Sequence, residues 1–175
     1  MKKFIILLPL LCLAADTPKE IEGWNISHGA WTQTTSKSKE TLNSTPTAPF
    51  SRIVSTKNIE AEFEGNLQVQ KPPSGNFYVG VFFRMKDDIR IQIMLRNGGQ
   101  ITVDQGSDTD RQCLWSVSYD PRRPVNMKIS AKGEAITCVI NKQKHTIKDD
   151  RTRDGTGFGF VAGNAMGRFE IKTLQ

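Results

Sequence analysis

The sequence predicts an all-β protein, a two-sheet antiparallel β-sandwich, and three observations predict it. Between Asn76 and Leu95 apolar side chains occupy every second position, Phe77, Val79, Val81 and Phe83 in one run and Ile89, Ile91, Ile93 and Leu95 in the next. A period of two is that of a strand that covers a core with one face and leaves the other free. About a dozen such short runs follow one another, separated by clusters of Gly, Pro, Asn and Asp that turn the chain. No stretch shows a sustained helical period with capping residues to compete with them.

Taken in order, Asp16 to Gly23 is polar, contains Pro18, and reads as an arm over the surface. Trp24-Asn25-Ile26 and Ala30-Trp31-Thr32 are two short strands about the turn Ser27-His28-Gly29. Thr34 to Pro49, rich in Ser, Thr, Lys and Pro around a lone Leu42, is the longest expected loop. Arg52 to Thr56 is a strand. Ile59, Ala61, Phe63, Leu67 and Val69 then alternate with Glu60, Glu62, Glu64, Asn66 and Gln68, a long strand with one wet face. Gly65 within it marks a bulge or the close approach of another backbone.

Lys71-Pro72-Pro73-Ser74-Gly75 leads into the central hairpin, whose turn is Met85-Lys86-Asp87-Asp88. Asn97-Gly98-Gly99 is a hairpin signal that returns the chain through Ile101 and Val103. After a polar loop, Cys113, Trp115, Val117 and Tyr119 alternate until the prolines at Pro121 and Pro124. Val125, Met127, Ile129 and Ala131 turn at Lys132-Gly133-Glu134 into Ile136, Cys138 and Ile140, and Asn141-Lys142-Gln143 turns again into His145-Thr146-Ile147. A charged loop, Asp149 to Gly155, precedes the closing strands Gly157 to Val161 and Arg168 to Leu174. With no repeat of fixed length and no low-complexity tail, 175 residues make one domain.

Residues 1–15 read as a cleavable leader: Lys2 and Lys3, an apolar run from Phe4 to Leu13, and small residues before Asp16. The run is too short to span a bilayer, so no transmembrane segment is expected and the domain of residues 16–175 is expected to be secreted, periplasmic or on the cell surface. Loss of Lys2 and Lys3 from 24 basic residues, against 18 acidic ones, lowers the formal charge from +6 to about +4. Arg151 and Arg153 stand among Asp149, Asp150 and Asp154, which argues against a nucleic-acid stripe. Cys113 and Cys138 remain, compatible with one bridge or with two buried thiols.

Catalytic motifs are absent by the same reading. A glycosidase usually needs two carboxylates across a cleft. Glu60, Glu62 and Glu64 share a wet strand face, Asp87 and Asp88 sit in a turn and Asp104 ends a strand, so no dyad is assigned. There is no nucleophile elbow and no phosphate-cradling glycine loop. His28 and His145 lack ligands at metal-binding intervals and read as surface turn residues.

The order of elements resembles the concanavalin A-like lectin/glucanase sandwich, a jelly roll, and within it is similar to 3-keto-disaccharide hydrolase and laminin-G-like domains. The residues carrying the likeness are Gly23-Trp24, Gly29-Ala30-Trp31-Thr32, the strand Ile59 to Val69, Gly80-Val81-Phe82-Phe83-Arg84, Val125 to Ala131 with its hairpin, Gly157-Phe158-Gly159-Phe160 and Arg168-Phe169-Glu170-Ile171-Lys172. The chain departs from these families at Asn141-Lys142-Gln143, where an Asp-Gly turn is usual, and lacks the Glu-x-Asp-x-x-Glu strand of retaining glucanases.

The resemblance implies a carbohydrate partner, an oligo- or polysaccharide, bound without catalysis. Alternatives are a glycoside hydrolase of the 3-keto-disaccharide type and an extracellular protein-protein adhesion module. No cofactor is implied, apart from a calcium ion held by loop oxygens as in some laminin-G-like modules, which would leave no motif to read. Sugar binding asks for an aromatic ring to stack on C-H faces and for polar side chains to pair with hydroxyls. Tyr78, Phe82 and Arg84 on one arm of the hairpin, Arg90 and Gln92 on the other, and Trp115 after the polar loop supply that mixture.

Overall fold

The computed structural model describes residues 20–36, 39–45, 49–57, 62–70 and 75–174. The expected leader, residues 1–15, lies outside the described residues, as do the start of the arm and the expected break at 71–74. Fifteen strands and no helix are found among the described residues.

Eight strands form one sheet: β1 (Glu20–Ile21), β2 (Trp24–His28), β5 (Phe50–Ser55), β7 (Tyr78–Lys86), β8 (Ile89–Arg96), β9 (Gln100–Gly106), β10 (Arg111–Ser118) and β14 (Gly157–Gly163). Their spatial order is β1-β2-β5-β14-β7-β8-β9-β10. Seven form the other: β3 (Ala30–Ser36), β4 (Lys39–Thr45), β6 (Glu62–Gln70), β11 (Val125–Lys132), β12 (Ala135–Ile140), β13 (Gln143–Lys148) and β15 (Met166–Leu174), in the order β13-β12-β11-β6-β15-β4-β3. Every pairing is antiparallel. The turn residues explain the connections. Gly98 and Gly99 take positive φ between β8 and β9, and Asn141 and Lys142 both do so in the two-residue loop joining β12 and β13, as the strand twist of such a loop demands.

The alternating residues meet between the sheets. Phe77, Val79, Val81 and Phe83 join Ile91, Ile93 and Leu95 on the inner side of the large sheet, and Phe63, Leu67, Met127, Ile129, Ile136 and Phe169 face them from the small one. Glu62 and Glu64 point outward, Glu64 pairing with Lys128 at 3.5 Å, so the acidic strand is a solvated face. Glu60 is outside the described residues. Gly65 is a site of close approach: a Cβ there would strike the Glu170 carbonyl. On the partner strand β15 a bulge lies opposite, between Ile171 and Thr173.

The expected loop from Thr34 to Pro49 is instead largely strand. β3 runs to Ser36 and β4 pairs with it on one side and with β15 on the other. Its polar composition hid it, since only Leu42 gives it apolar weight. Leu42 is fully buried, and the hydroxyl of buried Ser44 accepts the Gly167 amide at 2.8 Å. The expected turn at 85–88 shrinks to Asp87-Asp88, with Met85 and Lys86 carried into β7.

Cys113 and Cys138 form no disulfide, and Cys113 is exposed rather than buried. Burial pushes the Cys138 thiol up to about 12, while partial burial, then neighbouring Asp104, raises that of Cys113. Only thiolate reacts readily. The chain beginning at Asp16 is therefore expected to titrate slowly with one equivalent of a thiol reagent when folded and two when unfolded. Finding none in the unfolded chain would reveal a bridge.

Candidate functional site

Residues on the outer side of the large sheet are those of opposite parity to the core. From β5 come Phe50, Arg52 and Val54; from β14, Gly159, Val161 and Gly163; from β7, Tyr78, Gly80 and Phe82. β8 adds Arg90, Gln92, Met94 and Arg96, and β9 adds Thr102 and Asp104. Phe82, Met94 and Val161 are buried in a second small apolar cluster on this face, flanked by Phe50, Val54, Tyr78 and Met85.

Three glycines make that cluster flat. A Cβ at Gly159 would collide with the Phe82 ring, one at Gly163 with the Tyr78 ring, and one at Gly80 with Met94. The rings and the thioether therefore lie down over bare backbone. Phe82, 1% exposed, is covered in turn by two guanidinium groups, those of Arg52 and Arg90 at 4.8 and 5.7 Å from its centroid. Such cation-π contacts strengthen when desolvated.

Charges on the face are mostly paired. Arg90 donates to Asp108, whose carboxylate also lies 3.5 Å from Arg111. Arg96 reaches Asp104 at 2.6 Å and Thr102 at 2.9 Å, and Thr102 donates to Asp104 at 3.0 Å. Gln92 stands directly across from Phe82 in the β7–β8 register. It is 1% exposed and its Nε2 has no hydrogen-bond partner among the described residues. Burial raises the Tyr78 phenol above its ordinary pKa, so it stays a neutral donor at physiological pH.

Of the six residues expected from the sequence, Tyr78, Phe82, Arg90 and Gln92 share this face; Arg84 and Trp115 do not. In β7, Phe83 pairs with Ile91 but Lys86 with Ile89, and Phe82 pairs with Gly159 but Met85 with Gly157. Against both neighbours β7 thus carries one extra residue, a bulge in which Arg84 takes φ of 52°. The bulge swings Arg84 off the outer face and brings Met85 onto it. Arg84, 4% exposed, donates to the Gly133 carbonyl at 2.7 Å and lies 3.9 Å from Asp149. Desolvation lowers its pKa, opposed by the Asp149 charge.

A second bulge, between Cys113 and Trp115, acts likewise in β10. Cys113 falls on the outer face and Trp115 turns inward, half-buried against the core. There its ring stacks on His145 of β13, centroids 4.7 Å apart and planes 14° apart, bridging the edge strands of the two sheets. His145 is thus a strand residue and not the turn residue expected; His28 ends β2 against the Phe50 ring. The sequence reading missed Arg52, Arg96 and Asp108 as parts of the face. Alternation of Phe50, Arg52 and Val54 against Ser51 and Ile53 was the available signal for the first.

Among the described residues no group of three or more His, Cys, Asp or Glu side chains is arranged to hold a metal ion. No helix among them is long and apolar enough to cross a membrane.

Two stacked antiparallel sheets in this strand order form a jelly-roll β-sandwich, the fold that the sequence resemblance implies. Solved structures of that fold superpose over most of the chain. A carbohydrate-binding module, CBM66, from Bacillus subtilis is 14% identical, with a TM-score of 0.63 over 87% of this chain and 93% of its own. A Bacillus licheniformis β-glucanase is 9% identical, with a TM-score of 0.57 over 88% and 92%. The CBM2 module of the evolved Dit of Lactobacillus casei BL23 phage J-1 is 11% identical, with a TM-score of 0.55 over 89% and 93%. No family model matches the sequence, and no curated protein matches it significantly.

Proposed function

We propose that the protein is an exported, non-catalytic carbohydrate-binding module whose ligand lies across the outer face of the eight-stranded sheet. The observation that carries this is Gln92. A buried amide nitrogen without an acceptor costs about 1–3 kcal/mol, and in this position, between a layered Phe82 and the Arg96–Asp104 pair, a sugar hydroxyl is the kind of acceptor it fits. Tyr78 supports it as a ring laid flat at the rim, with its hydroxyl a donor. The basic, apolar and small-residue pattern of residues 1–15 supports export. The 3-keto-disaccharide hydrolase reading gains no support from this face, because Asp104 and Asp108, the carboxylates placed there, are each committed to an arginine.

Gln92→Leu separates the roles. Removing a buried unpartnered amide in favour of an apolar side chain of similar size is expected to leave the thermal midpoint unchanged or raised. Affinity for a glycan-array hit, by calorimetry, is expected to fall about tenfold or more. Unaltered affinity would remove Gln92 from the site, and release of new reducing ends by the wild type would replace the binding module with a hydrolase.

A further inference from the structure

We infer that the ligand of this face is an anionic glycan, one bearing carboxylate or sulfate groups, and that Arg52 recognises its charge; this rests on the reading of the face as a sugar site. Arg52 differs from the other arginines there. Arg90 and Arg111 share Asp108, and Arg96 holds Asp104. Arg52 has no carboxylate within ion-pair distance among the described residues. Its Nη2 donates to the Met85 sulfur at 2.9 Å, its Nε is buried with no hydrogen-bond partner among the described residues, and its guanidinium lies over the Phe82 ring.

A thioether is a weak acceptor and a ring face accepts no in-plane N–H, so a guanidinium with five donors is left with its fork unanswered. Burial, then the nearby charge of Arg90, holds Arg52 below its ordinary pKa, against the opposing charges of Asp108 and Asp88. Carboxylate and sulfate groups, each able to present two oxygens side by side, match that fork in geometry and charge. Phe82 fixes the plane of the guanidinium from below. Gln92, across from Phe82 in register, offers a second free donor beside it. Among the described residues no lysine lies on this face to supply a diffuse attraction instead, so the recognition is of a placed group.

The test uses the chain from Asp16 onward on an array carrying neutral, uronate and sulfated members of the same backbones. Calorimetry follows on an oligogalacturonate against its methyl ester, and on a sulfated galactan oligosaccharide against its desulfated form. The charged member of one pair is expected to bind at least tenfold more tightly than its neutral counterpart, the gap narrowing as salt rises. Which pair shows the gap distinguishes carboxylate from sulfate. Arg52→Gln is expected to close the gap between charged and neutral members to within about twofold. Equal binding of charged and neutral members, or a preference that survives Arg52→Gln, overturns the inference and leaves the sugar reading standing; failure of every array member to bind overturns both. The salt dependence of the wild type needs no variant, so the inference stays exposed to refutation even if Arg52→Gln does not fold.

Discussion

Asp149→Ala is expected to destabilise the protein by about 3–5 kcal/mol, the usual cost of leaving a buried charge and its donors without their partner. Asp149 is 1% exposed and follows β13, at one end of the sandwich. Its carboxylate accepts from Gln105 Nε2 of β9, from the amides of Arg151 and Thr152 at 3.1 and 3.2 Å, and from the Thr152 hydroxyl. Arg84 lies 3.9 Å away and anchors the β11–β12 turn through the Gly133 carbonyl. One side chain thus ties the large sheet, a loop and a turn of the small sheet together, with four donors that lose their acceptor on truncation.

Urea unfolding at neutral pH reads the loss as a lower midpoint at constant slope. Arg84→Ala should also lose stability, and the double variant should lose less than the sum, because the two groups share one network. A cost below about 1 kcal/mol for Asp149→Ala would mean that the loop and turn hold their places without the carboxylate. The sequence alone places Arg84 among the sugar-binding residues, which would make Arg84→Ala a binding variant. The bulge makes it a stability variant.

That reversal marks where legibility ends. Alternation gave the strands, their inner faces and the sandwich, since burial of a period-two stripe leaves few other arrangements. It also put Tyr78, Phe82, Arg90 and Gln92 on one face, because these belong to a local hairpin whose register the turn sets. A bulge adds one residue and inverts the parity of everything beyond it. Nothing in the residues Phe83-Arg84-Met85 or Cys113-Leu114-Trp115 announces the extra residue, so the sequence alone puts Arg84 and Trp115 on the sugar-facing side, which neither occupies. β4 was missed for a different reason: a strand paired on both sides needs little apolar content of its own. Arg52 reaches Phe82 only because β14, more than a hundred residues later in the chain, lies between β5 and β7, and a non-local pairing of that kind leaves no local pattern.

Phe160→Ala is expected to cost about 3–5 kcal/mol, and its value lies in showing where the sheets are joined. Phe160 is fully buried on β14, fourth of the eight strands, and lies 5.4 Å from Trp24 and 5.3 Å from Phe158 of its own sheet. It also lies 5.9 Å from Phe63 on β6, fourth of seven, and 4.6 Å from Phe169 on β15. Tilted and edge-on rings at these distances add to the burial itself, and truncation leaves a cavity at the crossing of both sheets. The thermal midpoint should fall by roughly 6–20 °C for a domain of this size. Val161→Ala, one residue along but in the small cluster on the outer face, should cost clearly less, because that cluster belongs to one sheet alone. Equal losses for the two would show that the outer face, and not the space between the sheets, carries the cohesion of the fold, and a face bound up in that way would have no freedom to admit a ligand.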